Sequence, residues 1–315
     1  MEDFGPSGLV KFADPSVTAS GEPRARVVLN NPKTLWFNTG TLCNIACSNC
    51  YIESSPHNDA LVYISADEVA DYLDQIEARA WPVTEIGFTG GEPFLNPQMI
   101  EMARRSLERG FEVIILTNAM RPMMRPAVQL GLIGLAQTYG PRLTLRISLD
   151  HWSPAQHDTE RGKGGFESSL TGMRWLGASG IRMTVAARSI WGEAEHETRL
   201  GFAELFRREG FAIDASDPAE LVIFPEMDIN ADVPEITTAC WGLLGKRPQD
   251  MMCATSRMVV KRKGAPAPTV VACTLLPYEP EFELGPDLAD AEGSVALNHP
   301  HCAKFCVLGG ASCSA

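Results

Sequence analysis

A chain of 315 residues with 45% hydrophobic and 21% charged residues has the make-up of an ordinary globular enzyme, long for one compact domain but suited to a barrel with a small appendage. Its formal net charge of −12 argues against a nucleic-acid partner, and the longest basic cluster, Lys261-Arg262-Lys263, reads as a solvated turn. No window approaches eighteen apolar residues, and the opening "MEDFGPSGLVKFADPS" carries acids and prolines instead of a signal's apolar run, so a cytoplasmic chain with no membrane span is expected.

Residues 1–33 read as an N-terminal extension. The first predicted strand is "LWFNTG" (35–40), and directly after it Cys43, Cys47 and Cys50 fall within eight positions. "SADEVADYLDQIEAR" opens a helix with a capping box of Ser65 and Glu68. A second strand, "TEIGF" (84–88), runs into "TGGEP", Thr89 to Pro93. A second helix follows, with Asn96 as its expected cap and Pro97 in its first turn. Further strands are expected at 111–117, 143–149, 181–187 and 220–224, each short and rich in β-branched residues, as strands covered by helices should be. Gly110, Gly180 and Gly210 mark three helix-to-strand junctions and are expected to be left-handed. The fold class is α/β: a partial (β/α)6 TIM-like barrel over 34–225 with a small C-terminal cysteine-rich β-hairpin and loop domain over 226–315. In that second part "RMVVKRKGAPAPTVVACTLL" reads as a hairpin, with Cys253 before it and Cys273 in its second arm. "LGPDLADAEG" reads as a polar loop, and the tail carries Cys302, Cys306 and Cys313.

The nine cysteines sit in two groups with none between residues 51 and 239. Without an export signal, that points to metal or redox chemistry and not to a disulfide framework. Three thiolates in one tight loop at the C-terminal edge of a parallel sheet can hold three irons of a cubane and leave a fourth iron open. A partial zinc site completed by His57 is the competing reading.

The Cys43-x3-Cys47-x2-Cys50 loop after strand one, together with TGGEP, resembles the radical S-adenosylmethionine (radical SAM) family. The resemblance covers residues 34–225. It implies a [4Fe-4S] cluster on the three cysteines whose open iron chelates S-adenosylmethionine (SAM), which on reduction is cleaved to a 5′-deoxyadenosyl radical. It implies SAM contacts from Thr89, Gly90, Gly91, Glu92 and Pro93, with Glu92 meeting the SAM amino group. Thr117 and Asn118 at the end of strand three, and Ser148 and Asp150 on one face of strand four, share the same rim. Arg161 resembles a family arginine that pairs with the SAM carboxylate. Many members place an aromatic just before the third cysteine; here that residue is Asn49 and the aromatic, Tyr51, follows Cys50. The C-terminal cysteines resemble a SPASM or twitch module, which implies an auxiliary iron–sulfur cluster of [4Fe-4S] type held by four of Cys253, Cys273, Cys302, Cys306 and Cys313, with Cys240 spare. The competing reading of that region is a structural zinc knot. The implied activity is hydrogen abstraction from a peptide side chain or small polar metabolite, giving oxidation, cross-linking or rearrangement, with a flavodoxin- or ferredoxin-type reductant. The alternative is a non-catalytic iron–sulfur electron carrier or redox sensor.

Overall fold

The computed structural model describes residues 10–310, so the tail cysteine Cys313 lies outside the described residues. Six parallel strands form the body of the molecule: β1 (Thr34–Asn38), β2 (Glu85–Thr89), β3 (Glu112–Thr117), β4 (Leu143–Ser148), β5 (Met183–Ser189) and β6 (Leu221–Pro225). They lie side by side in chain order, with helical crossovers between them. These are α1 (Ala66–Ala78), α2 (Met99–Glu108), α3 (Pro126–Tyr139), α4 (Pro154–Arg161), α5 (Gly165–Ala178) and α6 (Glu195–Glu209). All five residues of β1 are buried, which explains its unbroken apolar reading. The six-strand expectation holds, each strand within two residues of its predicted span.

Local signals were obeyed with one exception. Ser65 caps α1 through its hydroxyl while Glu68 reaches back to the Ser65 N–H at 2.9 Å, the reciprocal pair expected. Gly110, Gly180 and Gly210 take φ of +93°, +67° and +72°. The exception is Asn96, which does not cap α2. Its amide nitrogen donates to the carbonyls of Ile64 and Thr39, at 2.9 and 3.3 Å, its Oδ1 accepts from Gln98 N at 2.9 Å, and the helix starts later, after Gln98, so that Pro97 precedes it instead of lying in its first turn. The side-chain oxygen closes a turn just ahead of the helix while the amide nitrogen is held by distant carbonyls.

The C-terminal segment does not stand apart. Its hairpin, β7 (Ser256–Val260) and β8 (Thr269–Val271), places β7 parallel to β1, and β9 (Glu283–Gly285) follows, so one sheet of nine strands runs β9-β8-β7-β1 through β6. Cys273 lies just beyond β8 instead of within it. The stretch read as a polar loop contributes Leu288 and Ala291 to the core, both fully buried. Residues 26–27 pair with 295–296, and buried Arg24 meets Glu235 at 2.5 Å, tying the N-terminal segment to the C-terminal one. The sheet's C-terminal edge therefore faces loops from both parts of the chain.

Candidate active site

The cysteine loop follows β1 and is pinned to the turn that follows β2. Gly91 N–H donates to the Gly40 carbonyl at 2.9 Å and Glu92 N–H to the Leu42 carbonyl at 3.1 Å. Such contact requires glycines: a Cβ on Gly91 would lie 2.3 Å from the Leu42 carbonyl oxygen, and one on Gly90, where φ is +142°, 2.6 Å from that of Gly40. The TGGEP turn is thus a backbone cradle for the cysteine loop. Further along, Cys43 N–H donates to the Ser55 carbonyl at 3.0 Å, and the Cys50 sulfur accepts the Ser54 N–H at 3.3 Å.

Glu92 is 2% exposed, and its carboxylate accepts from Thr117 Oγ1 and Asn118 N, both at 2.9 Å, and from Phe94 N at 3.2 Å. Burial pushes its carboxyl up to about 7 even though those donors pull it down. Thr117 and Asn118 therefore orient Glu92 as well as facing the cavity. The Asn118 amide also donates to Asn44 Oδ1 at 2.9 Å, inside the cysteine loop. Ala119, fully buried, is held at φ +58° immediately after them.

Asp150, expected on the face of strand four, lies just past the end of β4; it is 2% exposed and receives both arms of the Arg161 fork, Nε at 2.6 Å and Nη2 at 2.8 Å. Burial would raise the Asp150 carboxyl, but Arg161 outweighs it and holds it below the usual carboxylate range. Arg161 so engaged presents little more than its remaining edge. A second guanidinium, Arg188 at the end of β5, faces the same cavity, donating to the Asn49 carbonyl at 2.8 Å. Asn49, just before the third cysteine, donates to both Glu160 oxygens at 3.0 Å and anchors the loop to α4. Tyr51 is 36% exposed and lines the cavity.

One cavity, of about 130 Å³, collects these groups. Cys43, Cys47 and Cys50 line it with Tyr51, Thr89, Gly90 and Gly91, and so do Thr117, Asn118, Ser148, Asp150 and Arg161. Glu92 adjoins this lining through its bonds to Thr117 and Asn118. Sequence reading missed Arg188, although a charged residue ending the apolar run of β5 in step with Ala186 was the available signal. It also missed Leu275 and Phe305, which close the cavity from the C-terminal segment.

A second cavity gathers Cys253, Cys273, Cys302 and Cys306 among apolar neighbours. Cys302 and Cys306 come from one π-helical stretch, Cys302–Leu308. Cys240 is not part of this lining. Beside it lies Arg257, 1% exposed, whose guanidinium donates to the carbonyls of Cys253, Ala291, Ser256 and Gly293. No carboxylate stands within 4.0 Å of it among the described residues, and burial lowers it to about 10 while Cys253 and Cys273 pull it back up.

Both donor sets fit iron–sulfur clusters. Burial pushes the Cys43 thiol up to about 12, Cys47 upward as well, Cys253 to about 11 and Cys302 to about 12, so these sulfurs become thiolates only against a compensating positive charge. No group of three or more His, Cys, Asp or Glu among the described residues converges on one metal ion, as the zinc site with His57 would require. Thiolates that bind separate corners of a cubane have no such need to converge. Among the described residues, no helix is long and apolar enough to cross a membrane.

Comparison with known proteins agrees with this geometry. The family model "Radical SAM superfamily" matches residues 37–197, just over half the chain. The chain is 31% identical over 154 residues to the antilisterial bacteriocin subtilosin biosynthesis protein AlbA of Bacillus subtilis, covering 47% of this chain and 32% of that one. It is 26% identical over 166 residues to an AdoMet-dependent heme synthase of Methanosarcina barkeri, covering 51% and 45%. The chain thus spans a third to under a half of these relatives. Among solved structures, Streptococcus suis SuiB bound to S-adenosylmethionine aligns with TM-score 0.60 at 11% identity, over 82% of this chain and 64% of that one. The same protein bound to its precursor peptide SuiA aligns with TM-score 0.50 at 14% identity, over 64% and 41%. The cysteine loop, the backbone cradle under it and the partial barrel are those of an enzyme family, and this chain belongs to the radical SAM superfamily.

Proposed function

We propose that this chain modifies a peptide substrate by radical SAM chemistry. Residues 34–225 carry the reaction site and 226–315 an auxiliary cluster. Cys43, Cys47 and Cys50 hold the SAM-binding [4Fe-4S] cluster. When bound and reduced, that cluster supplies homolytic cleavage of SAM to a 5′-deoxyadenosyl radical. The chain's own residues bind and orient. Glu92, fixed by Thr117, Asn118 N–H and Phe94 N–H, receives the ammonium group of SAM; Ser148 and the guanidinium edges of Arg161 and Arg188 face its carboxylate; Tyr51 offers an aromatic face to the adenine.

The observation that carries the reading is the adjacency of two cysteine cavities that share Leu275 as a wall. Four thiols line the second, enough to ligate every corner of one cubane, so the auxiliary cluster is closed to substrate and serves electron transfer. A flavodoxin- or ferredoxin-type protein supplies the electrons. The peptide class is supported by the relative named for bacteriocin biosynthesis and by the neighbour solved with a precursor peptide. The test is iron content. Reconstituted wild type should hold about eight irons per chain, and a Cys43→Ala/Cys47→Ala/Cys50→Ala variant about four. Loss of all iron in that variant would remove the auxiliary cluster from the account.

A further inference from the structure

Glu160 is 5% exposed and does not line the reaction cavity, so its buried carboxylate needs partners elsewhere. Both of its oxygens accept from the Asn49 amide at 3.0 Å, and Arg188 Nη1 lies 3.7 Å from Oε2. The backbone meets the same loop. Helix α4 ends at Arg161, and the carbonyls of its last turn have no partner within the helix. Ser48 N–H donates to the Glu160 carbonyl at 3.0 Å and Ser48 Oγ to that of Thr159 at 3.4 Å. Ser48 and Asn49 are the two residues between Cys47 and Cys50.

These contacts close a ring at the cavity rim. Asp150 holds both arms of Arg161, which follows Glu160 on α4, and Glu160 holds Asn49. The Asn49 carbonyl takes Arg188 Nη1 at 2.8 Å, and Arg188 N–H returns to the Asp150 carbonyl at 3.0 Å. Both side-chain contacts of Arg188 use Nη1, which leaves Nε and Nη2 for a carboxylate in the cavity. Asn49 is matched to its place, because an aromatic side chain there would leave the buried Glu160 without its amide donor.

We propose that Glu160 is a positioning residue for SAM. It fixes the Cys47–Cys50 segment and Arg188 in one arrangement, so that the cluster and the guanidinium meet the same end of SAM. This rests on the reading of the cavity as the SAM site. Groups that orient ligands from behind commonly govern affinity although they touch nothing that binds.

The test uses reconstituted full-length protein and three readouts: iron content, SAM affinity by equilibrium dialysis with the clusters oxidised, and the EPR spectrum of the reduced first cluster with and without SAM. Glu160→Gln keeps the size of the side chain and removes its charge. It should keep wild-type iron, bind SAM about tenfold more weakly and show a smaller SAM-induced spectral change. Asn49→Asp alone sets two carboxylates face to face and should bind SAM at least as weakly. Exchanging the partners, Asn49→Asp/Glu160→Gln, restores an amide against a carboxylate and should recover affinity to within about twofold of wild type. Wild-type affinity in Glu160→Gln overturns the proposal, and so does a loss that the exchange does not recover. If Glu160→Gln loses the first cluster, the exchange variant still decides: recovered iron and SAM binding support the pairing, and continued loss overturns it. Wild type that holds its iron but binds no SAM contradicts the reading of the cavity, and the role of Glu160 with it, before any variant is compared.

Discussion

The Arg257 guanidinium donates to the Cys253 carbonyl at 2.5 Å, placing a fully buried cation beside an auxiliary cysteine with no carboxylate in ion-pair distance among the described residues. A buried charge without a counter-charge is costly. The negative charge of four thiolates around a cluster would compensate it, so cluster and arginine stabilise one another. Reconstitution should therefore raise the Tm of wild type more than that of Arg257→Met, and the auxiliary cluster of the variant should have a more negative midpoint potential by EPR-monitored titration. An unchanged potential would detach Arg257 from the cluster.

Glu92 gives SAM binding a pH dependence. Its folded carboxyl, pushed up to about 7 by burial, is neutral below that pH and then has no charge to offer an ammonium group. SAM affinity should rise from pH 6 to pH 8, approaching tenfold per unit on the acid side, and Glu92→Gln should bind weakly with a flat profile. The sign for folding is opposite. A carboxyl raised in the fold contributes stability fully present below its unfolded value and lost as pH rises through about 7, on the order of 3 kcal/mol. The stability difference between wild type and Glu92→Gln without SAM should move in that direction over the same range.

His157 should make the barrel acid-sensitive. It is fully buried on α4, neither ring nitrogen has a hydrogen-bond partner among the described residues, and burial lowers it to about 4. A histidine depressed in the fold favours folding above its unfolded value near 6.5, and that contribution, about 3 kcal/mol, is lost as pH falls toward 4. His157→Phe keeps an aromatic against Phe166, now 5.6 Å away between ring centroids, and should unfold at lower pH than wild type in an acid titration followed by circular dichroism.

Gly91→Ala should cost the first cluster its holder. The added methyl would meet the Leu42 carbonyl at 2.3 Å, a backbone atom that cannot step aside without moving the cysteine loop. Iron content should fall by about half on loss of one of two equal clusters, with the auxiliary signal retained in EPR. Full iron with normal spectra would show the cradle to be dispensable.

The sequence was most legible where chemistry is local. The apolar strands, the Ser65–Glu68 box and the three-cysteine loop each follow from neighbours within a few positions, whereas the packing of the cysteine loop on the TGGEP turn emerges only in the fold. What escaped depends on distant pairing. The Asn96 amide nitrogen is held by the carbonyls of Ile64 and Thr39, while its Oδ1 accepts from Gln98 N ahead of a helix that starts at Met99. No periodicity announces that residues 256–260 lie beside 34–38, and so none announces that Leu275 and Phe305 close the reaction cavity. Arg161 was visible as a motif residue, but its engagement by Asp150 emerges only when β4 and α4 meet.

The central claim is tested most directly by anaerobic incubation of reconstituted protein with SAM and dithionite, scored for 5′-deoxyadenosine beside the Cys43→Ala/Cys47→Ala/Cys50→Ala variant. The account expects deoxyadenosine from wild type and none from the variant. Iron-replete wild type that leaves SAM intact would contradict it, and the loop would then be a cluster holder in an electron carrier.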